Sequence, residues 1–205
     1  MRLLFFLLLL STLSYSQKVD TVITTKIFTS YYSFKLKDPI FVKYKLYKAG
    51  GKVSRGGMQF STGGLYPSAT PQDYYRSGYD RGHLANFEDF SYEYSIGEST
   101  FRYYNVIPQT PVLNRGLWKI YEKKIRGISQ TDSLLILTGG NGWSKFIGDS
   151  VYVPDYCWKI VYSLSKKKVL FIIYVKNDKS PVEIVIKTIP ELDDKLGFKI
   201  ESYLN

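Results

Sequence analysis

The chain has 205 residues, a formal net charge of +10, 19 tyrosines and 12 phenylalanines, but only one cysteine and one histidine. One cysteine excludes an internal disulfide framework, so packing alone holds the fold, and one histidine excludes a multi-imidazole metal centre. A basic excess of this size suits polyanionic partners such as nucleic acid, anionic lipid or acidic polysaccharide, or simply a soluble basic surface.

Residues Met1 to Ser16 read as a secretory signal peptide: Arg2 is a short positive region, Leu3 to Leu10 an apolar run, and Ser14 and Ser16 small residues before a cleavage point. The run is too short to span a bilayer as a helix, which needs about 20 residues. The expectation is one domain over 17–205, secreted or periplasmic, with no membrane segment; cleavage removes Arg2 and leaves +9. Cys157, between Tyr156 and Trp158, reads as a small core residue on a strand. A homodimer stays open, its disulfide-linked form being the less favoured reading.

From Val19 to Lys48 the chain is rich in β-formers. Ile40, Val42, Tyr44 and Leu46 alternate with Phe41, Lys43, Lys45 and Tyr47, a half-buried strand with lysines on its wet side, after a turn at Lys37-Asp38-Pro39. Ala49 to Gly78 is a long glycine-punctuated loop that carries Arg55 and Arg76 beside Tyr66, Tyr74, Tyr75 and Tyr79, a mixture that suits phosphates and bases. An acidic segment, Glu88 to Ser99, trims polyanion affinity on its side. Thr100 to Ile107 reads as a strand closed by Pro108. Leu113 to Ser129 reads as a helix with Leu117, Ile120, Tyr121, Ile125 and Ile128 on one apolar face. Strands follow at Ser133–Thr138, Val151–Ser163, Lys168–Lys176 and Val182–Lys187. A last helix is signalled by Thr188 and Glu191 as a capping box and Gly197 as its end. The fold class is α+β, largely antiparallel sheet with few helices.

The chemistry concentrates between Tyr79 and Arg126. Asn114, Trp118, Glu122 and Arg126, spaced by four, stand in one line on a helix. A hard divalent ion takes oxygen ligands and keeps several waters, so Asn114 can give one direct ligand and Glu122 can hold a metal-bound water. The bland alternative is a helix capped by Asn114 and an ion pair between Glu122 and Arg126 worth about 0.2–0.5 kcal/mol. His83 tips the balance: an imidazole near its natural pKa can accept a proton from water while Arg81, two residues away, faces a phosphate. Gly82 permits close packing beside it, and Asp80 is placed to orient the loop.

Asp80-Arg81-Gly82-His83-Leu84-Ala85, then Ser99-Thr100-Phe101, Asn105, Pro108-Gln109, Leu113-Asn114-Arg115-Gly116, Trp118 and Glu122 resemble the DNA/RNA non-specific endonucleases of the ββα-metal, or His-Me finger, class. The resemblance implies a ββα-metal core within the sheet and a Mg²⁺-dependent, or Mn²⁺-dependent, endonuclease acting on DNA and RNA. It implies His83 as general base, Arg81 and Arg126 as phosphate and transition-state contacts, Asn114 as direct metal ligand and Glu122 as ligand through water. Arg55, Arg115 and Arg76 are expected to bind substrate, Arg55 being the looser match. Asn86 departs from the proline common there, a difference for loop conformation rather than chemistry. The rival class is a secreted polyanion-binding module without catalysis, which has no use for a base and a metal ligand together. An inhibitor or immunity partner leaves no mark in the sequence.

Overall fold

The computed structural model describes residues 18–204, so the signal-peptide reading at 1–16 lies outside the described residues. Three strands open the chain: β1 (Thr21–Thr24), β2 (Thr29–Ser33) and β3 (Asp38–Leu46). After the long loop come a one-turn helix α1 (Pro71–Tyr74), β4 (Asp80–His83), a short helix α2 (Tyr94–Glu98) and β5 (Val106–Gln109). A helical rod follows in three pieces: α3 (Pro111–Leu113), a wide π-type turn Asn114–Trp118, and α4 (Lys119–Ile128). The strands β6 (Leu134–Ile147), β7 (Val151–Ser163) and β8 (Lys168–Lys176) and the helix α5 (Ile189–Leu196) complete it.

Six strands form one antiparallel sheet in the order β1-β2-β3-β6-β7-β8, while β4 and β5 pair separately. Both faces of the large sheet are covered, which is why β6 and β8 read as continuous apolar runs rather than alternating ones. One face sends Val42, Tyr44, Ile136, Cys157 and Val161 against Leu84, Ile107, Leu113, Trp118 and Ile125 of the β4-β5-helix unit. The other sends Phe41, Leu137, Trp158, Ile160 and Ile172 against Ile189, Leu192 and Leu196 of α5. The β4-β5-helix unit is the expected ββα motif, held against one face of the sheet, and the expected α+β class stands.

Several expectations are corrected. The turn before β3 is Phe34–Lys37, and Asp38 and Pro39 already belong to the strand. Phe41 is buried and Lys43 half-buried, so within β3 only Lys45 is exposed, with Tyr47 exposed just past its end. Residues 103–105 form a 3₁₀ turn, and Pro108 lies inside β5, opposite Arg81, rather than closing it. Proline is tolerated there because a two-stranded ribbon leaves one edge of each strand without a ladder bond to make. Residues 182–187 are not a strand: one bridge joins Glu183 to Val175, and Val182 and Val185 are exposed. The strand expected at 133–138 runs on through Gly139, where an added Cβ would fall 2.1 Å from the Ile40 carbonyl oxygen.

The closing helix stands where it was read, but its capping box is altered: the Glu191 carboxylate accepts from the Lys187 amide rather than from the Thr188 amide. Thr188 accepts a hydrogen bond from the Glu191 amide, and Gly197 ends it at φ 75°, a left-handed conformation that glycine adopts without penalty. Cys157 is buried in β7, its thiol pushed up to about 12 by that burial, which puts the sulfur out of reach of a second chain. Among the described residues no helix is long and apolar enough to cross a membrane.

Candidate active site

A cleft of about 720 Å³ opens where β4, the long loop and the helical rod converge, and its lining includes His83, Arg81, Arg55, Asn114, Arg115, Glu122 and Arg126. Seven of the eight residues singled out in the sequence therefore meet in one place. Arg76 does not join them. It is exposed at φ 53° with its guanidinium 5.1 Å over the ring of its neighbour Tyr75.

His83 ends β4. Gly82 before it packs so tightly that an added Cβ would lie 2.2 Å from Gln109 Oε1, which is the close approach the glycine was expected to allow. After it, buried Asn105 clamps the chain, accepting from the Ala85 amide at 2.9 Å and donating to the carbonyls of Ala85 and Thr100 at 2.9 Å each. The imidazole sits between Phe60, at 5.2 Å, and Phe101, at 5.0 Å. Its Nε2 is buried without a hydrogen-bond partner, so Nδ1 is the nitrogen left to face the cleft. The imidazole is not near its natural pKa as expected: burial, and then the Arg55 guanidinium, push it down to about 3, so it rests neutral, the form that can take a proton. The long loop thus supplies one wall of the site, Arg55 reaching over Phe101 at 5.4 Å. Arg81 lies between the rings of Phe60 and Tyr74, at 5.4 and 5.1 Å.

Asn114 opens the wide turn and does not cap the helix; that role belongs to Thr110, whose hydroxyl accepts from the Leu113 amide. Asn114 Nδ2 donates to Asp80 Oδ2 at 3.0 Å. Arg115 Nε and Nη2 grip the same carboxylate at 2.8 and 2.7 Å. Burial tends to raise the Asp80 carboxyl, but the hydrogen bonds from Arg115 and Asn114 outweigh it and hold the group below its usual range. Because the amide nitrogen is committed to Asp80, the amide oxygen is the free end. Arg115, expected to bind substrate, is in the cleft but already paired.

Glu122 is buried, 7% exposed, and burial pushes its carboxyl up to about 7 against the opposing pull of Lys159 and the nearby Asn86 side chain. It makes no ion pair with Arg126. Arg126 Nε instead donates to buried Asp89 at 2.9 Å. Both halves of the bland reading therefore fail: Asn114 is not a cap, and Glu122 and Arg126 are not a surface pair.

A model of the DNA/RNA non-specific endonuclease family matches residues 10–204, nearly the whole chain. The chain belongs to that family. Among characterised relatives, a nuclease of Nostoc sp. is 41% identical over 97 residues, covering 46% of this chain and 35% of the relative. Mitochondrial endonuclease G of Bos taurus is 39% identical over 110 residues, covering 47% and 37% respectively. The chain thus spans little more than a third of the length of these relatives. A solved structure, the endonuclease described as the EndoG/EndoGI complex, superposes with a TM-score of 0.73 at 22% identity over 86% of this chain and 83% of that one, which speaks for the fold.

Within this endonuclease fold, two cleft features escaped the sequence reading. Lys119 and Lys123 line the cleft on the exposed side of α4, and among the described residues neither makes an ion pair. Lys159 of β7 is 1% exposed, its Nζ 4.7 Å over the Trp118 ring. It lies beneath Glu122 and Asp89 as a buried counter-charge, and that burial lowers its own pKa. Helical spacing could have flagged Lys119 and Lys123 with Arg115; nothing in the sequence marks a strand lysine as buried.

Proposed function

We propose that this chain is an exported, divalent-cation-dependent endonuclease that hydrolyses phosphodiester bonds in both DNA and RNA with His83 as general base. One observation carries the reading: a neutral imidazole with one nitrogen sealed and the other facing a cleft shared with an oriented amide oxygen, a buried carboxylate and four arginines. A binding module needs the arginines but neither of the other two groups.

The oxygen donors fit Mg²⁺ or Mn²⁺. Asn114 Oδ1 is freed by the Asp80 hydrogen bond, and Glu122 has a buried charge that its neighbours only partly offset. Among the described residues no three His, Cys, Asp or Glu side chains cluster as a metal site, so the protein share of the coordination is small and waters and substrate phosphate supply the rest. Asn114 would hold the ion directly and Glu122 through a water. When bound, the ion would offset charge developing on the phosphate and on the departing oxygen. His83 Nδ1 takes the proton of the attacking water. Arg81, Arg55 and Arg126 fix the phosphate and spread its charge. Asp80 keeps the Asn114 amide from rotating. The leader at 1–16 and the positive charge fit export as a single domain, secreted or periplasmic.

Incubating the mature protein with plasmid and with structured RNA, each with Mg²⁺ and with EDTA, tests the reading. Cleavage of both that EDTA stops is expected; binding without cleavage of either would favour the adhesive module. A second expectation concerns affinity. With EDTA present, binding should weaken steeply with salt, the log–log slope being about −0.9 per neutralised phosphate of duplex DNA, with little base preference. A flat salt response, or strong discrimination between duplexes of equal length, would contradict it.

A further inference from the structure

Phe60, on the long loop, touches two working residues of the site at once. Side chains alternate along a strand, so Arg81 and His83 share one face of β4. The Phe60 ring centre lies 5.2 Å from that of the imidazole and 5.4 Å from the Arg81 guanidinium carbon, and the ring lines the cleft. Phe101 completes a triangle of rings, 5.0 Å from His83 and 4.9 Å from Phe60. Neither polar group is fixed in the usual way. A histidine acting as base normally has its second nitrogen held by a hydrogen bond, which sets tautomer and ring orientation, but His83 Nε2 is buried with no partner among the described residues. Arg81 Nε is buried without one too, and its Nη2 donates to the Pro71 carbonyl at a long 3.5 Å. Ring faces take the place of those bonds. The loop backbone holds Phe60 there: the Ser61 amide donates to the Phe101 carbonyl at 3.2 Å, and the Ser61 carbonyl accepts from the Tyr103 amide at 3.0 Å.

We propose that Phe60 is a positioning residue that orients the His83 imidazole and the Arg81 guanidinium together. Its flat ring limits rotation of the imidazole about the Cβ–Cγ bond, so that Nδ1 keeps facing the cleft. Toward Arg81 it presents the electron-rich face that attracts a cation. A guanidinium held by a ring keeps its N–H groups for a phosphate, whereas Arg115, gripped by the Asp80 carboxylate, has spent two of them. If Phe60 merely filled space beside Met58, Phe87 and Phe101, another apolar side chain of similar size would serve as well. This role rests on reading His83 as the general base.

Two variants separate positioning from filling: Phe60→Leu keeps apolar bulk and removes the ring, and Phe60→Tyr keeps the ring. Because the chain has one histidine, nitrogen NMR of the untagged protein, without metal or nucleic acid, reports on that imidazole alone. Wild type and Phe60→Tyr are expected to show a single tautomer with the proton on Nε2, and Phe60→Leu nitrogen shifts averaged between the two tautomers. A misplacement of about 1 Å can cost about 10²-fold in rate, so kcat on plasmid, measured well below the unfolding midpoint, should fall about 10- to 100-fold in Phe60→Leu. In Phe60→Tyr it should stay within a few-fold of wild type. Phe60→Leu with either wild-type kcat or wild-type nitrogen shifts would reduce Phe60 to filler, and equal losses in both variants would show that the ring is not what matters. Should Phe60→Leu not fold, wild type decides: a single tautomer supports the role, and averaged shifts overturn it. His83→Asn serves as the control. If it retains turnover, the base reading itself is at fault; if it is inactive while Phe60→Leu turns over normally, only the role of Phe60 falls.

Discussion

Replacing His83 by alanine is expected to cut turnover by about 10² to 10⁴, the usual contribution of a positioned general base, while leaving metal-free nucleic-acid binding intact. The chain holds no second imidazole to take over. Because the ring fills the space between Phe60 and Phe101, His83→Asn is the better-packed partner variant and should be equally inactive. Turnover of either variant within a few-fold of wild type would assign the proton transfer elsewhere. The same burial has a consequence for stability. An imidazole held down to about 3 in the folded chain is protonated earlier in the unfolded chain, near 6.5. The stability tied to the neutral ring is therefore complete above pH 6.5 and drains as pH falls, by up to about 1.4 kcal/mol per unit. Between pH 6.5 and 4.5, urea unfolding should show wild type losing about 2 to 3 kcal/mol more than His83→Asn. Parallel curves would mean that the imidazole is well solvated.

The site was legible because its residues are close in sequence and chemically uncommon together, and because a strand, a strand and a helix in succession can bring Asp80–His83 and Asn114–Arg126 face to face. What resisted reading depended on phase or on distance. Ile120 was counted on the apolar face, yet it is 64% exposed, and the buried row is Trp118, Glu122, Ile125 and Ser129. The other four residues of that face, Leu117, Tyr121, Ile125 and Ile128, do pack on the core. Ile120 stands two residues beyond Trp118, about 200° around a 3.6-residue helix, so it points away from the side that Trp118 buries. Arg76 looked like Arg55, both being loop arginines among aromatics, but only the tertiary path of the loop turns Arg55 over Phe101 and leaves Arg76 outside the cleft. Val182–Lys187 is rich in Val and Ile, as a strand would be, yet it pairs through a single bridge. Asp89, Asn86 and Lys159 read as an acid in a polar loop, a loop asparagine and a strand lysine; their meeting around Glu122 and Arg126 spans more than 70 positions of chain.

Asp80 and Asn114 should behave as one unit, and exchanging them is the sharper test of how the ion is held. Asn114→Ala removes the amide oxygen, so activity falls and returns in part at high Mg²⁺. Asn114→Asp would by coordination chemistry alone hold a cation at least as well, since a carboxylate is a stronger oxygen donor than an amide. The structure argues the opposite. Asp80 Oδ2 lies 3.0 Å from Asn114 Nδ2, so an aspartate there puts an acceptor against an acceptor and a negative charge beside one already present. The new carboxylate turns away, and metal affinity and turnover both drop. Asp80→Asn alone loses the acceptor that orients Asn114 and the grip on Arg115, and it too should be impaired. In the double variant Asp80→Asn/Asn114→Asp the hydrogen bond is restored with its direction reversed, the carboxylate now standing on the metal side. Groups in direct contact couple by about 0.5–3 kcal/mol, so Mn²⁺ affinity and turnover in the double variant should exceed those of either single variant, though Arg115 stays unpaired. A double variant no better than the worse single one would show that the Asp80 contact does not orient Asn114, and the assignment of its amide oxygen to the ion would lose its structural support.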